Sequence, residues 1–205
     1  MSIPSPRVRC GAVELRLVTP RAAHQLFALA REPDVSAMLQ WSAHETVDDS
    51  LEYIHDARTL WQRGRAWLPG IFDHEREQLV GCTGLSGIDR PNRRAEVGTW
   101  IGVPFQGRGY NLEAKAALAT LAFEQLDLAR LEFLCRVDNE RSLAALRKLP
   151  GIREEGVLAE RIWRDDVGHD AVLFALLASE FDASEWPEVS IDPEPDGAGR
   201  THASR

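Results

Sequence analysis

Apolar and polar positions alternate over residues 13–18, the period of a short half-buried strand. Thr19-Pro20 then offers an N-cap and a proline for the first helical position. Ala22, Leu26, Leu29 and Ala30 carry the apolar face of the helix that follows. Thr46 caps a second helix, with Leu51, Ile54, Leu60 and Trp61 as candidate core positions and Gly64 as its stop. Three strand-like runs come next, at 66–73, 78–88 and 94–103, the first two joined by a charged segment over 74–77 that suits a hairpin. The pattern breaks over 104–109. A long helix opens near Gly109, its apolar residues Leu112, Ala116, Ala119, Phe123 and Leu126 recurring at helical spacing. Residues 131–137 read as a central strand. Asp138-Asn139 caps a helix running to about Leu149, which Pro150-Gly151 ends. Residues 156–163 and 171–177 read as two closing strands, and no regular structure is expected after Phe181.

That order predicts one α+β domain with a mixed sheet, its longest helix crossing between two mid-sheet strands. We place a single domain over 1–189 and an acidic, Pro/Gly-rich tail over 190–205, marked by Pro193, Pro195, Gly197 and Gly199.

Composition narrows the function more than the fold. At 205 residues, with 44% hydrophobic and 27% charged, the chain suits one well-packed domain. No apolar run approaches the roughly 18 residues of a membrane span. The start, Met1-Ser2-Ile3-Pro4, has no basic-then-apolar leader pattern, so a cytoplasmic site is expected by default. Seven acids and two arginines over 180–205 account for −5 of the net charge of −8, leaving −3 for the body. A nucleic-acid partner, which wants a basic footprint, is not expected. Cys10, Cys82 and Cys135 are odd in number and match no disulfide or metal spacing; Cys82 and Cys135 read as buried core thiols. The six histidines form no ligand spacing, and no metal is expected.

The most informative segment is Trp100-Ile101-Gly102-Val103-Pro104-Phe105-Gln106-Gly107-Arg108-Gly109-Tyr110-Asn111. It reads as a strand, a glycine-bearing turn and a helix start. Glycines let backbone approach a ligand closely, and a helix N-terminus presents free N–H groups to a phosphate. A plain strand-to-helix turn would look the same. The segment lacks the Lys-Ser/Thr of a Walker A loop, and it follows four strands instead of opening a dinucleotide-binding unit.

Gln106-Gly107-Arg108-Gly109-Tyr110-Asn111 resembles the acetyl-CoA motif of GNAT acetyltransferases, Gln/Arg-x-x-Gly-x-Gly/Ala, with Asn111 where Gly or Ala is usual. Asn111-Leu112-Glu113-Ala114-Lys115 resembles the branch of ribosomal-protein N-terminal acetyltransferases. So do Ala95-Glu96-Val97-Gly98-Thr99-Trp100-Ile101, Arg130-Leu131-Glu132, Asp138-Asn139-Glu140-Arg141-Ser142, Glu155-Gly156 and Glu185-Trp186-Pro187-Glu188, in that order. The sequence departs from the family at Leu149-Pro150-Gly151-Ile152, which carries an extra residue after the second CoA helix.

The resemblance implies a GNAT-like, mostly antiparallel sheet flanked by helices, with acetyl-CoA as co-substrate in a cleft between two mid-sheet strands. It implies direct attack of a primary amine on the thioester. Glu96 is then the candidate base, through a water; a strand carboxylate paired with Arg94 is the plain alternative. The tyrosine that many of these enzymes use as acid would fall at Leu146, so Ser142 is the candidate acid, with a polar residue in a first helical turn as its alternative. The resemblance also assigns cofactor contacts to backbone of Ile101 and Val103, to Gln106, Gly107, Arg108, Gly109, Tyr110 and Asn111, and to Asn139 and Ser142. Arg108 and Lys148 are candidates for the CoA phosphates or plain solvated cations. Trp41, Trp61 and Trp67 lie in the third of the chain that lines the acceptor site in the related family, with plain core residues as the alternative. The resemblance points to the α-amino group of a protein, peptide or small metabolite as acceptor, with a polyamine, amino sugar or antibiotic as the alternative, and a homodimer is expected by analogy. A non-catalytic CoA-binding domain and an interaction domain with an incidental turn remain open at this point.

Overall fold

The computed structural model describes residues 5–192. The rest of the tail expected over 190–205 lies outside the described residues. Nine strands form one sheet: β1 (Arg7–Cys10), β2 (Val13–Arg16), β3 (Gly70–Asp73), β4 (Gln78–Asp89), β5 (Arg94–Ile101), β6 (Arg130–Arg136), β7 (Arg153–Arg164), β8 (Val167–Leu177) and β9 (Val189–Asp192). Their spatial order is β7-β8-β6-β5-β4-β3-β2-β1-β9. Only β5 and β6 run parallel; every other neighbouring pair is antiparallel. This is the α+β, mostly antiparallel mixed sheet that the element order predicts.

Helices cover both faces. On one, α4 (Tyr110–Thr120) and α5 (Glu140–Leu146) bury Ala114, Ala117, Leu118, Leu143 and Leu146 against Val97, Leu131, Phe133 and Cys135. On the other, Leu26 and Leu29 of α1 (Ala23–Ala30) and Ile54 of α3 (Val47–Gln62) meet Phe72, Leu79 and Cys82. A short helix, α2 (Pro33–Ser36), follows α1. α3 opens on the expected cap, and its geometry is a capping box: Thr46 accepts from the Asp49 N–H while Asp49 accepts from that of Thr46. α4 passes into a π turn at Leu121–Gln125. All three cysteines are buried. Among the described residues, no helix is long and apolar enough to cross a membrane.

Several expected boundaries move. The strand expected over 66–73 is interrupted, because Pro69 has no N–H to give the ladder; Trp67 pairs alone with Leu85, and β3 starts at Gly70. The strand expected to reach 103 ends at Ile101, because Val103–Phe105 turns as a 3-10 helix. The helix expected to reach Leu149 closes at Leu146. Leu51 and Leu112, expected on core faces, are 37% and 42% exposed; Leu112 opens onto the cavity described below.

The C-terminal segment departs most from expectation. β9 pairs with β1, from Arg7↔Asp192 to Cys10↔Val189, so the boundary drawn at 189 falls inside a strand. Trp186 is buried and packs on Phe181, which packs on Phe123 beyond α4. Trp186→Ala should therefore lower unfolding free energy by about 3–5 kcal/mol, the range for emptying a large aromatic site. A urea midpoint gives the value, and a loss below about 1 kcal/mol would show that this segment only rests on the surface.

Candidate active site

The strands that separate make the site. β5 and β6 pair only from Arg94↔Arg130 to Glu96↔Glu132. Beyond that point β6 bonds to β8 as far as Arg136 and β5 bonds to β4 as far as Ile101. Residues 97–101 thus turn one backbone edge to a wedge without a strand partner. A backbone edge away from its ladder wants other hydrogen-bond partners.

The wedge widens into a cavity of about 750 Å³. Its floor is the glycine turn. Gly107 and Gly109 have φ of +79° and +90°, the left-handed region that other residues enter at a cost. No backbone carbonyl of the described residues accepts from the N–H groups of residues 107–111. They lie at the start of α4, where its dipole is positive. Arg108, Arg141 and Lys148 line the same cavity, and none of them is in an ion pair among the described residues. This end of the cavity is built for an anion with several oxygens. Val35, Met38, Leu39, Trp100 and Phe105 also line the cavity, Phe105 beneath the Arg108 guanidinium, and Asp34 is the one carboxylate of that lining among the described residues.

Most of the residues selected from sequence meet here. Ile101, Gln106, Gly107, Arg108, Gly109, Tyr110, Asn111, Asn139, Ser142 and Lys148 all line the cavity. Gln106 spans its mouth, donating to the Ile101 carbonyl at 2.9 Å and accepting from Arg141 at 2.6 Å. Asn139 caps α5, its side chain accepting from the Ser142 N–H at 3.1 Å. The Cys135 thiol donates to the Arg136 and Asn139 carbonyls, and burial holds it above the ordinary range.

Two motif residues have structural work instead. The Tyr110 hydroxyl donates to Asp73 at 2.6 Å and so ties the turn to β3. With Arg76 also donating, this holds the buried Asp73 carboxyl down at about 2. A depressed carboxyl stabilises the fold above its ordinary range, and that contribution fades as pH falls toward 2. Glu113 turns away from the cavity and accepts from the Ala12 N–H at 3.0 Å. It packs so closely on Gly11 that a Cβ there would lie 2.7 Å from its carboxyl carbon.

Val103 and Glu96 are not among the cavity-lining residues. Val103 sits in the 3-10 turn, 43% exposed. Glu96 stands where the β5–β6 pairing ends, two alternations before Trp100 on the same face of β5. Its partner is Arg161 on β7 at 3.9 Å, while Arg94 turns to Glu132 and Asp89. Partial burial raises the Glu96 carboxyl above its ordinary value; Arg161 opposes the rise and Glu132 adds to it. On this face Trp100 packs on Trp41, Trp41 on His44 and His44 on Tyr53, which makes an aromatic wall beside the cavity. Trp61 and Trp67 are buried in the core. Sequence reasoning missed Arg141, Asp34 and Lys115 as cavity residues. Arg141 and Lys115 stood inside motifs already singled out, whereas nothing around Asp34 marked it.

The model of the acetyltransferase (GNAT) domain matches residues 12–150. The chain is 30% identical over 180 residues to YdaF of Bacillus subtilis (strain 168), whose name proposes a ribosomal N-acetyltransferase, covering 84% of this chain and 95% of that one. It is 31% identical over 132 residues to the ribosomal-protein-serine acetyltransferase of Escherichia coli (strain K12), covering 64% and 72%. Its fold matches that of Mycobacterium smegmatis RimJ in complex with CoA-disulfide with a TM-score of 0.79, at 23% identity and over 90% and 93% of the two chains. The chain belongs to the GNAT acetyltransferase family and is an acyl-CoA-dependent N-acetyltransferase.

Proposed function

We propose that this enzyme acetylates α-amino groups, on a protein or peptide N-terminus, with acetyl-CoA held in the wedge between β5 and β6. The observation that carries the reading is the polarity of one cavity. Its glycine turn and its cations without ion pairs among the described residues suit the CoA phosphates, its unpaired β5 edge suits the amides of the pantetheine arm, and its apolar lining includes Trp100, on the Glu96 face of β5.

Each chemical task then has a residue. Gly107–Tyr110 backbone N–H groups, with Arg108, Arg141 and Lys148, hold the phosphates. Asn139 meets the pantetheine arm. N–H groups on the free edge of β5 polarise the acetyl carbonyl as it gains negative charge. Glu96 removes the proton of the attacking amine through a water, a task that its raised carboxyl suits better than an ordinary one would. Ser142 serves the departing sulfur.

The preference for an α-amine rests on protonation. An α-amine ionises near 8 and a lysine near 10.4, so at pH 7 about a tenth of the first is neutral and well under a thousandth of the second. A single partly exposed carboxylate is the weaker match to the lysine task. The name of the Escherichia coli relative, a ribosomal-protein-serine acetyltransferase, points the same way. The test is a competition with acetyl-CoA in excess among an N-terminal peptide, its N-blocked lysine-containing version, spermidine and an amino sugar, read by mass. The free N-terminal peptide should take the label first. Label on spermidine or the sugar, with the peptide untouched, would replace this acceptor with a small-molecule amine.

A further inference from the structure

A second cavity, of about 520 Å³, lies beside α3 and the strands β2 and β3, and it shares no lining residue with the first. That volume is within the range of about 300–1,000 Å³ in which proteins hold small molecules. Leu51, expected on a core face, opens onto it. With Leu17, Ile54, Trp61 and Phe72 it makes an apolar wall. The charge of the lining is positive. Arg7, Arg16, Arg21 and Arg58 all contribute, and Glu77 is the one carboxylate of that lining among the described residues. The chain carries a net charge of −8, so this gathering of guanidiniums runs against its composition.

The four arginines divide into two pairs. Arg16 and Arg7 are anchored. The Arg16 guanidinium lies 4.1 Å from the centre of the Phe72 ring, donates to Glu77 at 2.9 Å and stands 3.2 Å from the buried Glu14. Arg7 reaches the same Glu14 at 3.5 Å. Arg21, in the 3-10 turn at Pro20–Ala22, and Arg58, on α3, have no ion pair or hydrogen bond among the described residues. Gln25 stands with them. Its side-chain oxygen accepts from the Leu79 N–H at 3.2 Å, which leaves its two N–H donors over. Two fixed guanidiniums, two open ones and an amide thus converge on one concavity from β1, β2, a turn and two helices.

We propose that this cavity binds a nucleotide, a small phosphate ester that carries a planar ring, at a site separate from the acetyl-CoA wedge. A guanidinium fork matches phosphate or carboxylate oxygens. The arrangement selects between them. A carboxylate offers two oxygens in one plane, whereas a phosphate offers three from a tetrahedral centre and so meets donors that come from different directions. Arg21 and Arg58, on different elements, come from different directions. A bare phosphate would leave most of 520 Å³ unused. The apolar wall, with the Arg16–Phe72 stack in it, gives a ring its place.

Calorimetry with uridine diphosphate, which lacks the adenine of CoA, tests the site. The wild type should bind one molecule per chain, and uridine should bind at least about 100-fold more weakly. Arg21→Gln and Arg58→Gln should each raise Kd about tenfold, and the two together about 100-fold. Both side chains are exposed, so the double variant should keep its fold and its affinity for CoA. Gly109→Val, altered in the wedge, should bind uridine diphosphate as the wild type does. Absence of binding to the wild type would overturn the proposal, as would an unchanged Kd in the double variant. Loss of binding in Gly109→Val would place the phosphates in the wedge and overturn it too. Citrate bound as tightly as uridine diphosphate would make this a site for carboxylates instead.

Discussion

Gly109→Val should abolish coenzyme binding while leaving the protein folded. Gly109 has φ +90° and ψ −19°, and it forms the N-cap of α4. A Cβ there would meet nothing nearer than Glu113 Oε1 at 3.9 Å, so the fold has room for it. The penalty is conformational: a β-branched residue in left-handed backbone costs about 1–3 kcal/mol. For a domain of this size that is a fall of a few degrees in Tm. The ligand loses far more. The added side chain stands beside the very N–H groups that lack backbone acceptors among the described residues, and a re-set backbone turns them from the phosphates. Each lost hydrogen bond to a charged group is worth about 1.5–3 kcal/mol, so the loss of two or three raises Kd by more than about 100-fold. In thermal melts, CoA at about 100 times its Kd should raise the wild-type Tm and leave the variant unmoved. A folded Gly109→Val protein with wild-type CoA affinity would take the phosphates away from this turn.

Glu96→Gln should lower kcat by about 10²–10⁴-fold and leave CoA binding unchanged. It should also make the protein no less stable at neutral pH. The folded protein holds the Glu96 carboxyl above its ordinary value of 4.5, chiefly by burial. The native state therefore binds this proton more tightly than the unfolded chain does. That contribution is full below 4.5 and is lost as pH rises through the raised value. At neutral pH the wild type carries a partly desolvated charge, with Arg161 offsetting some of it. The amide carries none. Denaturant midpoints should thus favour Glu96→Gln at pH 7, with the gap closing toward pH 4.5. Turnover of the variant at the wild-type rate would hand the proton to solvent or another group, whatever its stability.

Local chemistry made much of this molecule legible in its sequence. Thr46 and Asn139 announce their helices because an N-cap side chain bonds within three residues of itself, and both do so. Gln106–Asn111 shows through its glycines, whose positive φ no other residue adopts cheaply. What sequence hid depends on distant partners. Arg7–Cys10 is too short and too basic to read as a strand, and Val189–Asp192 lies in an acidic stretch; each is a strand because the other pairs with it. Lys115 stood in a motif without any reading of its own. It is enclosed because α4 lies beneath the sheet and faces the wedge where β5 and β6 part. Glu96 was found by motif, but its placement outside the cavity lining follows from where two strands stop pairing, which periodicity does not encode.

The strand order also has a consequence for how the chain is made. From β1 to β5 each strand lies beside the one before it, so this half of the sheet can assemble as the chain emerges. The other half cannot. β8 lies between β6 and β7, so the far wall of the wedge stays half-paired until Val167–Leu177 has been synthesised. The outer edge of β1 waits longer still, for Val189–Asp192. A chain made only as far as β7 thus lacks the strand that pairs the far wall of the wedge, and the outer edge of its β1 is open. A ribosome stalled before β8 would display a chain that has its glycine turn but no closed cleft.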